Sequence, residues 1–232
     1  MIKHLAMAIA VTFAPAAAFG QTYIVWEAAD CGAITLHATR GSDFPKLGNT
    51  IAADQLREAY IHFPRQKLAL NPTVAPRSLE FNANIAPDQV VMASVALAPV
   101  VVGNETRTER AKALIFCGPS TPPASWQRSN GFGLEIIPQG WNGPRPKMKR
   151  GDPMRFLALD SNATKKILDV PMELYRADSG RVAQGAPDKN GMTTFLYPEP
   201  GRYMVSTTYR RPDPQRPERW LVDTSTLTFE IK

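Results

Sequence analysis

Residues Asn190 to Tyr209 (NGMTTFLYPEPGRYMVSTTY) combine two turn signals with two β-rich segments. Asn190-Gly191 and Pro200-Gly201 are dipeptides typical of tight turns. Met192 to Tyr197 and Arg202 to Tyr209 follow them and are rich in the β-branched and aromatic residues that favour strands. Tyr203 stands just after the second turn, where a tyrosine hydroxyl can tie a strand corner. The stretch predicts short strands of a β-sandwich.

The rest of the C-terminal half continues this pattern. Strands are predicted at 132–138, 154–160, 170–176 and 227–231. A series of roughly six or seven short strands at regular spacing over about 100 residues is typical of a sandwich domain.

The N-terminal half has a less regular pattern, with strands predicted at 23–27, 34–39, 79–84, 90–97 and 111–117. Ala52 to Tyr60 (AADQLREAY) has a helix-forming composition, whereas Tyr60 to Phe63 is β-like, and periodicity alone does not decide between them. The chain contains 21 prolines in 232 residues, almost twice the usual share. Such a content disfavours long helices and favours short strands joined by turns.

The N-terminus has the pattern of an export signal. A short basic start is followed by the apolar core Leu5 to Phe13, by Pro15, and by small residues that allow cleavage after Ala18 or Gly20. The core is too short to span a bilayer stably, and no second long apolar run follows it. We therefore expect a signal peptide at 1–20 and a mature chain without a membrane span.

Cys31 and Cys117 are the two cysteines of the chain, and both remain after signal cleavage. An even number of cysteines in an exported chain favours a disulfide, and two unpaired thiols are the alternative. No Cys-x-x-Cys motif is present, which argues against a thiol-exchange enzyme.

The chain divides at a stretch rich in Pro and Ser, which starts Pro119-Ser-Thr-Pro-Pro-Ala-Ser125. Such a composition is typical of an exposed linker. We predict an N-terminal β-sandwich domain at 22–118, a linker at 119–131 and a C-terminal β-sandwich domain at 132–232.

Motifs for catalysis are absent from the sequence: it contains no GxSxG, HExxH, P-loop or GxGxxG. The expectation is a protein that is not an enzyme. His37 and His62 are the histidines that remain after export, and they fall on different predicted strands. They are weak candidates for a metal site, which needs three or four donors, such as nearby Glu27 or Asp30. Two ordinary strand histidines are the alternative.

Basic residues cluster at Arg210, Arg211, Arg216 and Arg219, in a segment that we interpret as a long proline-stiffened loop. The whole chain has a formal net charge of +6. A basic loop on such a chain suits an anionic partner such as a polysaccharide, a phospholipid headgroup or an acidic protein. The alternative is a solvated loop that only keeps the protein soluble. Nucleic acid is not expected, because the chain is exported and shows no aromatic-basic platform.

A series of short motifs resembles the NikM-like family of exported bacterial domains of unknown function, some members of which are labelled periplasmic components of nickel or cobalt transport. The matching segments are Lys112-Ala-Leu-Ile-Phe116, Gly133-Leu-Glu-Ile-Ile-Pro138, Gly151-Asp-Pro153, Asp188-Lys-Asn-Gly191, Pro200-Gly-Arg-Tyr-Met-Val205 and Ser225-Thr-Leu-Thr-Phe-Glu230.

The resemblance implies a periplasmic all-β protein, a strand at 54–63, and an accessory role in metal uptake. Members of the family often begin the mature chain with a His near an aromatic pair. The expected mature chain here begins Gln21-Thr-Tyr-Ile-Val-Trp26, without a His.

Together these observations predict an all-β protein with two immunoglobulin-like or prealbumin-like β-sandwich domains in tandem after the signal peptide. The expected function is that of a non-enzymatic periplasmic accessory or binding protein, associated through the resemblance with nickel or cobalt uptake. Its expected partner is an envelope or transport-system protein, and a Ni or Co ion is the cofactor that the resemblance allows. The alternative is a structural or adhesive envelope module that binds an anionic partner through its basic loop.

Overall fold

The computed structural model describes residues 20–27, 31–87, 89–118, 129, 131, 133–140, 150–162, 164–196 and 199–231. Apart from Gly20, the predicted signal peptide lies outside these residues, as does the predicted linker apart from Ser129 and Gly131. The signal peptide and the domain boundaries therefore stay predictions. Within the part of the chain that is described, no helix is long and apolar enough to cross a membrane.

Strands make up almost all the regular structure of the described residues, beside a single 3₁₀ turn at Ala53–Gln55. The strands are β1 (Gln21–Glu27), β2 (Gly32–Gly41), β3 (Leu56–His62), β4 (Lys67–Ala69), β5 (Thr73–Ala75), β6 (Ser78–Ile85), β7 (Val90–Leu97), β8 (Val100–Val102), β9 (Glu105–Phe116), β10 (Leu134–Gln139), β11 (Pro153–Asp160), β12 (Lys165–Lys166), β13 (Met172–Arg176), β14 (Gly180–Gly185), β15 (Met192–Leu196), β16 (Gly201–Asp213) and β17 (Arg216–Ile231). The prediction of an all-β, sandwich-like fold is confirmed.

The strands form three sheets. The front sheet has the order β1-β2-β6-β5, and the back sheet has the order β10-β11-β12 with β15 also paired to β11. The central sheet has nine strands in the order β14-β13-β16-β17-β9-β7-β3-β4, with β8 paired to β9.

The central sheet contains strands from both halves of the chain. They meet where β17 pairs in parallel with β9, in a register that runs from Trp220 opposite Glu105 to Phe229 opposite Leu114. Every other strand pair is antiparallel among the described residues. A parallel pair needs a long crossover connection, and here the intervening chain supplies the whole back sheet.

The two faces of the central sheet are buried against different sheets. Along β7, the side chains of Val91, Ala93 and Val95 enter the front core, which the front sheet covers. Those of Val90 and Met92 point the opposite way, into the back core, which the back sheet covers. All eight residues of β7 are buried, which explains why its sequence is apolar apart from Ser94 rather than alternating.

Aromatic residues fill the back core and fix its corner. The ring centroid of Phe229 lies 5.8 Å from that of Phe156 and 5.7 Å from that of Tyr203. Tyr203 is fully buried, and its hydroxyl donates to the carbonyl of Glu199 at the preceding turn. The predicted corner role of Tyr203 is thus confirmed.

A disulfide joins Cys31, just before β2, to Cys117, just after β9, with the two Cα atoms 5.2 Å apart. The predicted pairing is confirmed. The bond ties the front sheet to the central sheet and closes a sequence separation of 86 residues. Loops of this size contribute about 2–4 kcal/mol to stability.

The segment with helix-forming composition is a strand. After the 3₁₀ turn at Ala53–Gln55, the chain enters β3, as the family resemblance implied. Ala59 and Ile61 alternate with outward-facing residues and pack into the front core. Their burial at period two outweighs the intrinsic helix propensity of the local sequence.

A buried ion pair connects the two halves on the back face of the central sheet. The ammonium of Lys112 in β9 donates to the carboxylate of Glu135 in β10, and both residues are almost completely buried. The hydroxyl of Ser129 donates to the other carboxylate oxygen of Glu135 at 2.8 Å. Burial lowers the pKa of Lys112, and the charge of Glu135 opposes that shift.

We predict that Lys112→Met lowers the free energy of unfolding by about 3–5 kcal/mol, because it removes the buried ammonium that pairs with the buried Glu135 carboxylate. The double variant Lys112→Met/Glu135→Leu should recover most of that loss, since it removes both charges. Urea denaturation measures both effects. Arg181→Met is the control, because the Arg181 side chain that pairs with Glu173 is 57% exposed and its loss should lower the free energy of unfolding far less. Equal losses in Lys112→Met and Arg181→Met would contradict the prediction.

Candidate functional site

The two candidate metal-ligating histidines each bond to a serine. His37 lies in β2, where its Nδ1 is 3.2 Å from Ser78 Oγ and 3.6 Å from Glu80 Oε1. His62 lies in β3, where its Nε2 is 3.0 Å from Ser94 Oγ.

The fold does not bring His37 and His62 together. Leu36 and Ala38 enter the front core, so His37 between them faces away from it. Ile61 enters the same core from the central sheet, so His62 also faces away, on the far side. Two packed sheets lie about 10 Å apart, and both sheets separate these imidazoles. They cannot share a metal ion, and no cluster of three or more potential ligands occurs among the described residues.

Asp30, which the sequence offered as a further ligand, lies outside the described residues, and Glu27 is exposed at the end of β1.

The basic segment predicted as a loop is a β-hairpin. β16 continues to Asp213 and β17 starts at Arg216, so Pro212 lies opposite Trp220 within a paired ladder. The turn is held by Asp213, whose carboxylate accepts from the Gln215 amide at 2.9 Å and from Arg216 Nε at 3.1 Å. The loop interpretation was wrong. It assumed that the prolines of this segment exclude a strand, because proline disfavours central strand positions. Here the prolines lie near a bulge and the end of the hairpin, where a strand tolerates them.

Three of the four hairpin arginines are paired with carboxylates. Arg210 Nε is 3.2 Å from Glu105 Oε1, and its guanidinium stacks 3.7 Å from the ring centroid of Trp220. Arg211 is 2.6 Å from Asp223, and Arg216 pairs with Asp213 in the turn. Within the described part of the chain, Arg219 makes no ion pair. The hairpin therefore carries much less free positive charge than its sequence indicates.

A groove with a volume of about 690 Å³ lies on the front face of the central sheet, beside the edge of the front sheet. Its floor is formed by five adjacent strands, β14, β13, β16, β17 and β9, and its rim by the start of β1 and the end of β2. We call this feature the polar groove. The lining residues are Gly20, Gln21, Gly41, Ser42, Glu105, Arg107, Glu109, Pro171, Glu173, Tyr175, Arg181, Gln184, Met204, Ser206, Thr207, Thr208, Arg210, Val222 and Thr224.

Hydroxyl groups occupy the middle of the floor. Thr208 in β16 lies opposite Thr224 in β17, and their Oγ1 atoms are 3.1 Å apart. Ser206 follows at the next position on the same face of β16 and is buried. Because these residues alternate along paired strands, their positions are fixed by the sheet rather than by a loop.

The charges of the polar groove balance, since three glutamates and three arginines line it. Arg107 donates to Glu105 at 2.9 Å, and Arg210 pairs with the same carboxylate. These hydrogen bonds, led by the one from Arg107, hold the pKa of Glu105 below its ordinary value.

The other two glutamates are also engaged. The Glu173 carboxylate accepts a hydrogen bond from Arg181 at 2.6 Å. The Glu109 carboxylate pairs with Arg40 Nε, which lies at the rim, at 3.2 Å. The six charged lining residues thus balance one another and are held in place by these pairs, and Arg40 adds one positive charge at the rim.

Tyr175 and Gln21 complete one end of the groove. The Tyr175 hydroxyl donates to Glu173 at 2.7 Å, and burial together with that bond raises its pKa to about 12. Gln21 Oε1 is buried and accepts no hydrogen bond among the described residues.

No sequence motif marks this groove, because its residues come from five strands in both halves. The available signal was the alternation Glu105-x-Arg107-x-Glu109, which places three charges on one face of a strand.

No protein-family profile and no curated protein matches this chain. Among solved structures, native alpha-2-macroglobulin from Escherichia coli (domains MG0-NIE-MG1) is 14% identical over 90% of this chain and 69% of that chain, with a TM-score of 0.25. A 1.5-MDa bacterial ice-binding adhesin is 9% identical over 92% of this chain and 66% of that chain, with a TM-score of 0.27. Mouse protocadherin-24 EC1–3 is 10% identical over 97% of this chain and 93% of that chain, with a TM-score of 0.24. Likenesses at this level carry no argument about function.

We predict that His62 makes stability depend on pH. Burial, with smaller contributions from Lys67 and Lys112, lowers the pKa of His62 from 6.5 to about 4. Between these values the unfolded chain binds the proton and the folded chain does not, so the free energy of unfolding falls as the pH drops from 6.5 towards 4.

Urea denaturation at pH 7 and pH 5 measures this fall, to which His62 should contribute on the order of 1 kcal/mol because its partial exposure screens the effect. His62→Asn should lack that contribution. An equally steep fall in His62→Asn would show that other groups cause it.

Proposed function

We propose that this chain is a non-enzymatic binding protein of the bacterial periplasm, which holds its ligand in the polar groove. The observation that carries the proposal is the set of ion pairs that fixes the groove. Because Arg107, Arg181 and Arg210 are already held by glutamates, the recognition groups need little ordering when a ligand arrives. The volume of about 690 Å³ lies within the range of roughly 300–1,000 Å³ that small-molecule sites occupy.

The chemistry of the groove suits recognition. The pKa of Glu105 is lowered, so this carboxylate stays ionised and accepts hydrogen bonds instead of delivering a proton. The raised pKa of Tyr175 keeps its hydroxyl protonated and bound to Glu173. Both features supply fixed donors and acceptors.

Location and partner in this proposal come from the sequence. The export pattern and the family resemblance support a periplasmic accessory role beside a nickel or cobalt transport system, with an envelope or transport protein as partner. The Cys31–Cys117 disulfide is compatible with an oxidising compartment. We assign no metal ligands, since His37 and His62 lie on opposite sides of the front core.

The test uses Thr208→Trp, which places an indole on the groove floor at an exposed strand position. Thr194→Trp is the matched control, because Thr194 is also an exposed strand residue but lies in β15 of the back sheet. The protein, exported with its own N-terminal segment and purified from the periplasm, is examined by native mass spectrometry for bound compounds.

We expect a bound compound in the wild type and in Thr194→Trp, and its loss in Thr208→Trp. The same compound in all three proteins, or in none, would overturn the proposal. Turnover on a panel of hydrolase substrates that disappears in Thr208→Trp would also overturn it, because the groove would then be an active site.

A further inference from the structure

The class of ligand follows from the charge balance of the polar groove, on the premise that the proposed function is correct. Three glutamates and three arginines line the groove, and a fourth arginine, Arg40, holds Glu109 from the rim. A strongly anionic ligand would have to compete with Glu105 for both Arg107 and Arg210. A metal ion or an organic cation would have to displace those arginines from the same carboxylate. The groove is therefore suited to a ligand without net charge.

The hydrogen-bonding groups of the groove suit a ligand with many hydroxyl groups. Thr208 and Thr224 each offer an oxygen that can donate and accept. The amides of Gln21 and Gln184 offer both functions as well, and Gln21 Oε1 is a buried acceptor without a donor among the described residues. A sugar hydroxyl both donates and accepts, so it can bond to every group in this set.

Apolar surface lies between these polar groups. Tyr175, Met204 and Val222 all contribute to the lining. A tyrosine ring presents an apolar face together with a polar hydroxyl, and the Tyr175 hydroxyl is fixed by Glu173. The C–H faces of a pyranose ring can pack on this surface while its hydroxyls reach the groove floor.

We infer that the polar groove binds a neutral oligosaccharide, with its hydroxyl groups on Thr208, Thr224, Gln21 and Gln184 and a ring face against Tyr175. The glutamates and arginines accept and donate to further hydroxyls while they remain paired. Since the ligand carries no net charge, the affinity should depend little on ionic strength.

The test is isothermal titration calorimetry with four neutral trisaccharides: tri-N-acetylchitotriose, maltotriose, cellotriose and mannotriose. Trigalacturonate is the anionic comparison. We expect saturable binding of at least one neutral sugar, with a dissociation constant that changes less than about twofold between about 0.05 M and about 0.5 M salt. Thr208→Trp should weaken that binding by at least about tenfold, and Thr194→Trp should leave it unchanged.

Two results would overturn the inference. The first is binding of trigalacturonate alone, with an affinity that falls steeply with salt. The second is that none of the neutral sugars binds, or displaces the bound compound seen by native mass spectrometry. If that compound is still lost in Thr208→Trp, the binding function stands and only the saccharide assignment fails; if it is not, both fail.

Discussion

β9 is the strand on which the rest of the structure depends, because it has neighbours on all four sides. Ala111, Ala113 and Ile115 face the front core, and Leu114 and Phe116 face the back core. One edge pairs with β7 and the other with β17. From Ala111 to Phe116 every residue of β9 is buried, so each of these side chains must fit one face or the other.

The two halves are held together by several kinds of interaction around β9. The parallel β9–β17 ladder provides backbone hydrogen bonds, and Lys112 reaches Glu135 on the back face. On the front face, Thr226 Oγ1 donates to the carbonyl of Thr22 at 2.7 Å, which fixes β1 against β17. The polar groove is a consequence of this arrangement, since its floor joins β9 to β16 and β17 and its rim is the start of β1. A binding site of this kind depends on the pairing of the two halves.

Local features were predictable from the sequence, and long-range features were not. The Asn190-Gly191 turn, the corner role of Tyr203 and most strands follow from turn chemistry and period-two alternation. Pairing of Cys31 with Cys117 followed from cysteine count and export. The parallel ladder joins residues more than a hundred positions apart, and no local periodicity specifies such a pairing. The groove depends on that ladder, so it could not be predicted either.

Native-state hydrogen exchange tests most directly whether the two halves fold as one unit around β9. If they do, the slowest amides of β9 and β17 exchange with the same free energy of opening, equal to that of global unfolding. Strands of the front and back cores should then lose protection in the same transition as denaturant is raised. Exchange of β13, β16 and β17 through a separate opening, with β7 and β9 still protected, would show that the halves are independent and would contradict the account.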